Sequence, residues 1–216
     1  MKPISPSPQF PIPITGIILA AGKSSRMGQP KVLLDVAGQP LIRFSTLAAL
    51  KAKLSSLTII SGEWHDQIAQ AVADLPVSVI HNQHANEGMS SSLRLGINLA
   101  KQRGARACII ILGDQPFVSH SLITSLWTTY RQHRMQGIRI VRPTYDGMPN
   151  HPVLFDASLF PEFEALRGDE GARSIVAAHQ SATMLVPCQE PLWHLDIDTM
   201  DAWERAKPHL LRRLKE

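Results

Sequence analysis

The chain has 216 residues, 44% of them hydrophobic, 19% charged and 6% aromatic. That is enough apolar material for one substantial core, which excludes global disorder, and too little aromatic surface for a base-stacking nucleic-acid platform. Lys and Arg number 22 against 18 Asp and Glu, for a net charge of +4. This mild excess suits an anionic small molecule and is too weak to argue for nucleic acid.

The first elements in chain order are prolines. Pro3, Pro6, Pro8, Pro11 and Pro13 crowd residues 1–13, which predicts an extended N-terminal arm without a catalytic role, followed by one domain over 14–216. Phe10–Ala21 mimics a signal-peptide core, but Pro11 and Pro13 interrupt it and Lys2 is the only positive charge before it. No apolar run approaches the ~20 residues of a membrane span. The two cysteines, Cys108 in an apolar run and Cys188 in a loop, form neither a disulfide framework nor a zinc site. The expected setting is therefore reducing and cytoplasmic.

Ile14–Ala20 is a continuous apolar run of the kind that forms a strand buried on both faces. Leu57–Ser61, Val77–His81, Ala107–Leu112 and Ile138–Val141 read the same way, with helical patterns near 41–52, 64–74, 89–103 and 119–135 between them. Such alternation predicts a Rossmann-like, three-layer α/β/α sandwich around a mostly parallel sheet. After Arg142 the pattern changes. Tyr145–Asn150 is turn-rich, and the short run Pro152–Phe155 predicts an antiparallel excursion. Helices near 157–165 and 170–179, a strand near 182–187 and a helix from about 199 complete the chain.

Ligands of open α/β sheets bind beyond the C-terminal strand ends, so the loops there are the places to search. The first strand runs into Leu19-Ala20-Ala21-Gly22-Lys23-Ser24-Ser25-Arg26-Met27-Gly28-Gln29-Pro30-Lys31. Two glycines bracket serines and cations, a composition that lets backbone amides approach a phosphate. The spacing is neither a P-loop nor a dinucleotide fingerprint, because Ile17 stands where the P-loop needs its first Gly. A glycine-rich connection with solvated charges is the competing reading. Asp114, in Gly113-Asp-Gln-Pro116, is either a ligand for a hard cation or a turn cap. Asp196 and Asp198 share one face of a strand end, while Asp198 and Thr199 are also candidate helix N-caps. In Asn82–Leu93, Asn, Gly and Ser are candidate donors to a base or ribose, with helix capping by Ser90 or Ser91 as the competing reading. His151 is either a functional acid or a structural donor in its turn. Arg173 either meets a phosphate or flanks a helix.

Taken together, Leu19–Gly28 with Lys31, Asn86-x-Gly88 with Ser92-Leu93, Gly113–Pro116, His151–Phe155, Gly168-Asp-x-Gly-Ala-Arg173 and Asp196-Ile-Asp-Thr199 resemble the molybdenum cofactor cytidylyltransferases. These form a branch of the nucleotidyltransferases that also make sugar nucleotides and molybdopterin guanine dinucleotide. The resemblance spans about Ile14 to Asp201. It implies Mg²⁺-dependent transfer of CMP from CTP to the phosphate of molybdopterin, with Mn²⁺ as the alternative ion. Leu19, Ala20, Ala21, Gly22, Lys23 and Ser24 would hold the nucleoside, completed by Asn86, Gly88 and Ser92. Arg26 and Lys31 would bind the triphosphate. Asp114 and Asp198, with Asp196 as an alternative, would hold the metal. His151 and Arg173 would face molybdopterin. Ala21 favours CTP, since guanylyl members tend to carry Gly there. Met200 and Asn150 depart from the family, which more often has Pro and Gly at these places. Within the same fold, the alternatives are a guanylyltransferase for molybdopterin or an enzyme acting on a sugar or polyol phosphate. An alternative of another class is a non-catalytic cofactor carrier serving an apo molybdenum hydroxylase. Neither nucleic acid nor a membrane is expected as a partner.

Overall fold

The computed structural model describes residues 12–22, 30–189, 192, 197 and 199–214. Strand β1 (Ile14–Ala20) is the centre of the sheet, parallel to β4 (Ser56–Ser61) on one side and to β6 (Ala107–Leu112) on the other. Strand β5 (Ser78–His81) extends the sheet from β4. On the far side the order continues through β9 (Val153–Asp156), β7 (Ile140–Tyr145) and β10 (Thr183–Pro187). β9 runs antiparallel between β6 and β7, as the short run after the turn-rich segment predicted. The architecture is the three-layer α/β/α sandwich with a mostly parallel, mixed sheet.

The apolar runs form strands because both faces are covered. Ile18, Ile59, Ile109 and Ile111 pack with helices α1 (Ile42–Lys51), α2 (His65–Ala71) and α4 (His120–His133). Ile17, Ile60, Cys108 and Ile110 pack with α3 (Met89–Gln102), a 3₁₀ run over Ala157–Ala165 and α5 (Arg173–Ala178). Each fully buried Ile contributes about 1.5–3 kcal/mol. A third cluster joins Leu34, Val36 and Phe117 to Ile197 and to Trp203, Ala206 and Leu210, the last three on α6 (Met200–Arg213).

Three local features depart from expectation. The 157–165 helix is 3₁₀ rather than α; it contains Pro161, which lacks the amide an α turn needs. The hairpin of β2 (Asp35–Val36) and β3 (Gln39–Pro40) turns on Ala37 and Gly38, both at positive φ. The strand β8 (Met148–Pro149) pairs with β7 through Asp146 and Gly147, also both at positive φ. Within the arm foreseen over 1–13, residues 1–11 lie outside the described residues. No described helix is long and apolar enough to cross a membrane.

Candidate functional site

Four walls beyond the C-terminal strand ends line one cavity of about 840 Å³. That volume is near the upper end of ligand cavities, which run from about 300 to 1,000 Å³. The first wall is Leu19–Gly22, at the end of β1. The backbone at Gly113 donates to the Leu19 carbonyl at 2.9 Å. A methyl group on Gly113 would come within 3.0 Å of that same carbonyl and 2.9 Å of Ile42. Glycine there lets the end of β6 lie against the end of β1, which brings Asp114 into the cavity lining. Its Oδ2 accepts from Lys31 Nζ at 2.8 Å, across 83 residues of chain. Asp114 is thus an ion-pair partner in the cavity wall rather than a simple turn cap. Gly62 completes this corner, since a Cβ there would stand 3.1 Å from the Ala21 carbonyl oxygen and 3.0 Å from Ala85.

The second wall is Ala85–Leu93, carrying Asn86, Gly88 and Ser92. Neither Ser90 nor Ser91 caps α3. Asp169 Oδ1 accepts from the Met89 amide at 2.9 Å, and the Gly168 carbonyl accepts from Ser90 at 3.0 Å. Ser91 N bonds back to Gly88. The first amides of α3 are therefore already satisfied by protein and are not left to receive a phosphate. Asn82 Nδ2 donates to Ser91 and Ser92 hydroxyls at 2.8 and 2.9 Å, which orients Ser92 at the wall.

The third and fourth walls are the β7–β9 corner, with Arg142, Asn150, His151 and Val153, and the segment Asp169–Gln180, with Arg173. Because β9 is antiparallel, its start lies at the same sheet edge as the end of β6, which places His151 near Asp114. Burial, then the positive charge of Arg142, hold the His151 pKa down to about 4, although a hydrogen bond to the Ile110 backbone and the charge of Asp114 oppose this. Arg173 adds to the depression. His151 is therefore neutral at pH 7. Protons bind the unfolded histidine between its ordinary pKa and 4 but not the folded one, so stability falls as pH drops through that window. Wild type should lose about 3 kcal/mol more than His151→Gln between pH 7 and pH 4. Urea denaturation at both pH values measures this; parallel losses would refute it.

The structure thus brings together Leu19, Ala20, Ala21, Gly22, Lys31, Asn86, Gly88, Ser92, Asp114, His151 and Arg173. Lys23, Ser24, Arg26, Asp196 and Asp198 lie outside the described residues. Their neighbour Ile197 is buried with Phe117, and Thr199 is the N-cap of α6, its Oγ1 accepting from Ala202 at 3.1 Å. Sequence reasoning did not single out Arg142, and held Asn82 and Asp169 only as members of the Asn82–Leu93 loop and the Gly168–Arg173 motif. For Arg142 a signal existed, a cation at the end of an apolar strand run (Ile-Arg-Ile-Val-Arg). For the capping role of Asp169 none did, because its partner is 80 residues away.

Residues 16–183 match the MobA-like NTP transferase domain family. Purine catabolism protein PucB of Bacillus subtilis is 27% identical, over 90% of this chain and 96% of its own. Nicotine blue oxidoreductase of Paenarthrobacter nicotinovorans is 28% identical, over 89% and 95%. Molybdenum cofactor cytidylyltransferase of Escherichia coli K12 is 25% identical, over 88% and 94%. Among solved structures, Rv0371c of Mycobacterium tuberculosis H37Rv in complex with manganese superposes with a TM-score of 0.75 at 25% identity, over 90% and 98%.

Proposed function

Because this chain belongs to the MobA-like NTP transferase domain family, and so is a nucleotidyltransferase, we propose that it transfers CMP from CTP to the phosphate of molybdopterin. The products are molybdopterin cytosine dinucleotide and pyrophosphate. The observation that carries this reading is the single cavity whose lining joins Leu19–Gly22, Asn86 and Ser92 to His151 and Arg173, with Lys31 and Asp114 on the same surface. One enclosure of that size accommodates a nucleotide and a second polyanion together. The acceptor follows the Escherichia coli relative and the motifs around His151, Arg173 and Asp196–Thr199.

In this reading Leu19, Ala20, Ala21 and Gly22, with Lys23 and Ser24, hold base and ribose, and Asn86, Gly88 and Ser92 close the pocket. Arg26 and Lys31 bind the triphosphate. Asp114, with Asp198 or Asp196, holds a divalent cation. No group of three or more acidic, His or Cys ligands exists among the described residues. Mg²⁺ or Mn²⁺ fits such a sparse oxygen set, because one or two carboxylates suffice when phosphates and water complete the shell. When bound, the cation neutralises charge on the phosphates.

An oxygen of the acceptor phosphate attacks the α-phosphorus of CTP. The bond from that phosphorus to the bridging oxygen breaks, and pyrophosphate leaves with the electron pair. A phosphate dianion is already nucleophilic, so the weakly basic His151 is not needed as a base. The work is positioning and charge compensation. Two unit negative charges 4 Å apart repel by about 4 kcal/mol at an effective dielectric of 20, which Lys31, Arg26 and the cation offset.

Incubation with CTP, Mg²⁺ and molybdopterin should yield the cytosine dinucleotide and pyrophosphate. Product only with GTP, or only with a sugar phosphate, would sink the substrate assignment. In thermal unfolding with Mg²⁺, CTP at about 100 times its Kd should raise the Tm by roughly 5–10 °C, with GTP, UTP and ATP well below it. Equal shifts for all four would remove the basis for CTP.

A further inference from the structure

We propose that Arg142 is the anchor of an oxyanion subsite, completed by Arg173, that seats the phosphate of the acceptor substrate. This rests on the reading that the chain transfers a nucleotidyl group to a phosphate-bearing acceptor, and it deepens that reading by naming the residue that holds the nucleophile.

The argument begins with strand register. Side chains alternate along a strand, so Ile140 and Arg142 share a face. Ile140 is fully buried in the cluster that also contains Val153 and Phe155. Arg142 therefore continues a core row into the cavity, where Val153 and Phe155 also contribute to the lining. Its Nε is buried without a hydrogen-bond partner, and no ion pair satisfies its guanidinium among the described residues. Burial accordingly pulls its pKa below the ordinary arginine value.

Other partly buried arginines have protein partners for their guanidiniums, although Arg43 Nε is likewise buried without one. Arg94 bonds the Leu166 carbonyl, Arg103 the Thr58 hydroxyl, and Arg139 the carbonyls of Arg134 and Ile138. Arg43 pairs with Asp74. A partly desolvated guanidinium without a protein partner gains from an anion that bonds it.

One further guanidinium shares this wall with the neutral His151, whose N–H is spent on the Ile110 backbone. His151 Nδ1 is buried without a partner. Arg173 lines the cavity without an ion pair among the described residues. The cluster is the opposite of the Lys31–Asp114 corner, where protein charge already compensates protein charge. Two guanidiniums match a tetrahedral oxyanion, since the planar guanidinium fork bonds two oxygens of one phosphate at once. The nucleotide wall and Lys31 account for the triphosphate, which leaves this cluster to the acceptor phosphate.

The test compares wild type with Arg142→Gln and Arg142→Lys. The Gln variant should raise KM for the acceptor about 30-fold, the loss expected of a charge-assisted hydrogen bond, while KM for CTP stays unchanged. Arg142→Lys should recover part of the loss, as a point charge without the fork. The apo Tm of Arg142→Gln should equal or exceed that of wild type, because a desolvated unpaired charge is gone. A lowered apo Tm with both KM values unchanged would make Arg142 structural and overturn the proposal, and a rise in KM for CTP alone would assign Arg142 to the triphosphate instead.

Sulfate, a non-nucleophilic tetrahedral oxyanion, provides a readout independent of the acceptor's identity. With CTP and Mg²⁺ saturating the nucleotide site, sulfate should stabilise wild type more than Arg142→Gln. Equal stabilisation would overturn the subsite. Retention of the Arg142-dependent sulfate shift by a protein that makes no cytosine dinucleotide would support the subsite and discard only molybdopterin as its occupant.

Discussion

Asp114→Asn should lower CMP transfer by about 10³-fold at saturating CTP and Mg²⁺, a loss typical of removing a group that stabilises charge in the transition state. Asparagine keeps the shape of the side chain and loses the negative charge. The Lys31 ammonium, 2.8 Å from Oδ2, then faces the cavity without that carboxylate. Attraction of the triphosphate does not weaken, so KM for CTP should hold steady or fall while kcat collapses. The fold should survive. Both side chains of the pair retain some exposure, 17% and 23%, and such ion pairs contribute about 0–1 kcal/mol. Initial rates of pyrophosphate release, with thermal unfolding as the control, measure this. Activity within tenfold of wild type would remove Asp114 from the metal site. Retained delivery of cofactor to an apo hydroxylase by a variant with no turnover would instead favour the carrier alternative.

Gly88→Ala should be the most damaging small substitution, by about 3–5 kcal/mol, combining backbone strain with the loss of two hydrogen bonds. Gly88 has φ +99° and ψ 177°, a conformation nearly closed to residues with a Cβ. That Cβ would also lie within 2.5 Å of backbone atoms of Gly168 and 2.8 Å from Asp169 Oδ1. The Gly168–Asp169 backbone would have to retreat from α3, breaking the bonds that satisfy Met89 and Ser90. Because this contact joins the wall bearing Asn86 and Ser92 to the wall bearing Arg173, activity should fall with stability. The expected drop in Tm is roughly 10 °C. Gly168→Ala is the matched control. Its φ is +58° but nothing lies within 4 Å of the added methyl, so its cost should be only about 1 kcal/mol of backbone strain. A Gly88→Ala Tm within 2 °C of wild type, or equal losses for the two variants, would refute the close-approach argument.

The elements that were legible share one property: their cause is local. Ile14–Ala20 and Ala107–Leu112 form strands with the expected bounds because an unbroken apolar run can be satisfied only between two covering layers. Tyr145–Asn150 reads as turn-rich, and Asp146-Gly147 takes positive φ at both positions. The two-residue strand β8 beyond this turn was not foreseen, since a two-residue run carries no periodicity. The Ala37-Gly38 hairpin was missed for the same reason, with a weaker turn signal. Capping of α3 was misread because Ser90 and Ser91 are local cap candidates, whereas the actual cap, Asp169, is supplied from 80 residues away.

The sequence by itself determined the layered α/β architecture and the loops that hold the candidate residues, since hydrophobic periodicity and strand-end loops are properties of short segments. Tertiary structure alone decided how those residues are spent. It paired Lys31 with Asp114, used Asp169 and Gly168 to satisfy the start of α3, and left the buried Arg142 Nε without a partner. The physical reason is that pairing and desolvation depend on which distant segments converge. Here the parallel neighbours β1 and β6 bring Lys31 to Asp114, and the antiparallel β9 brings His151 to the same edge.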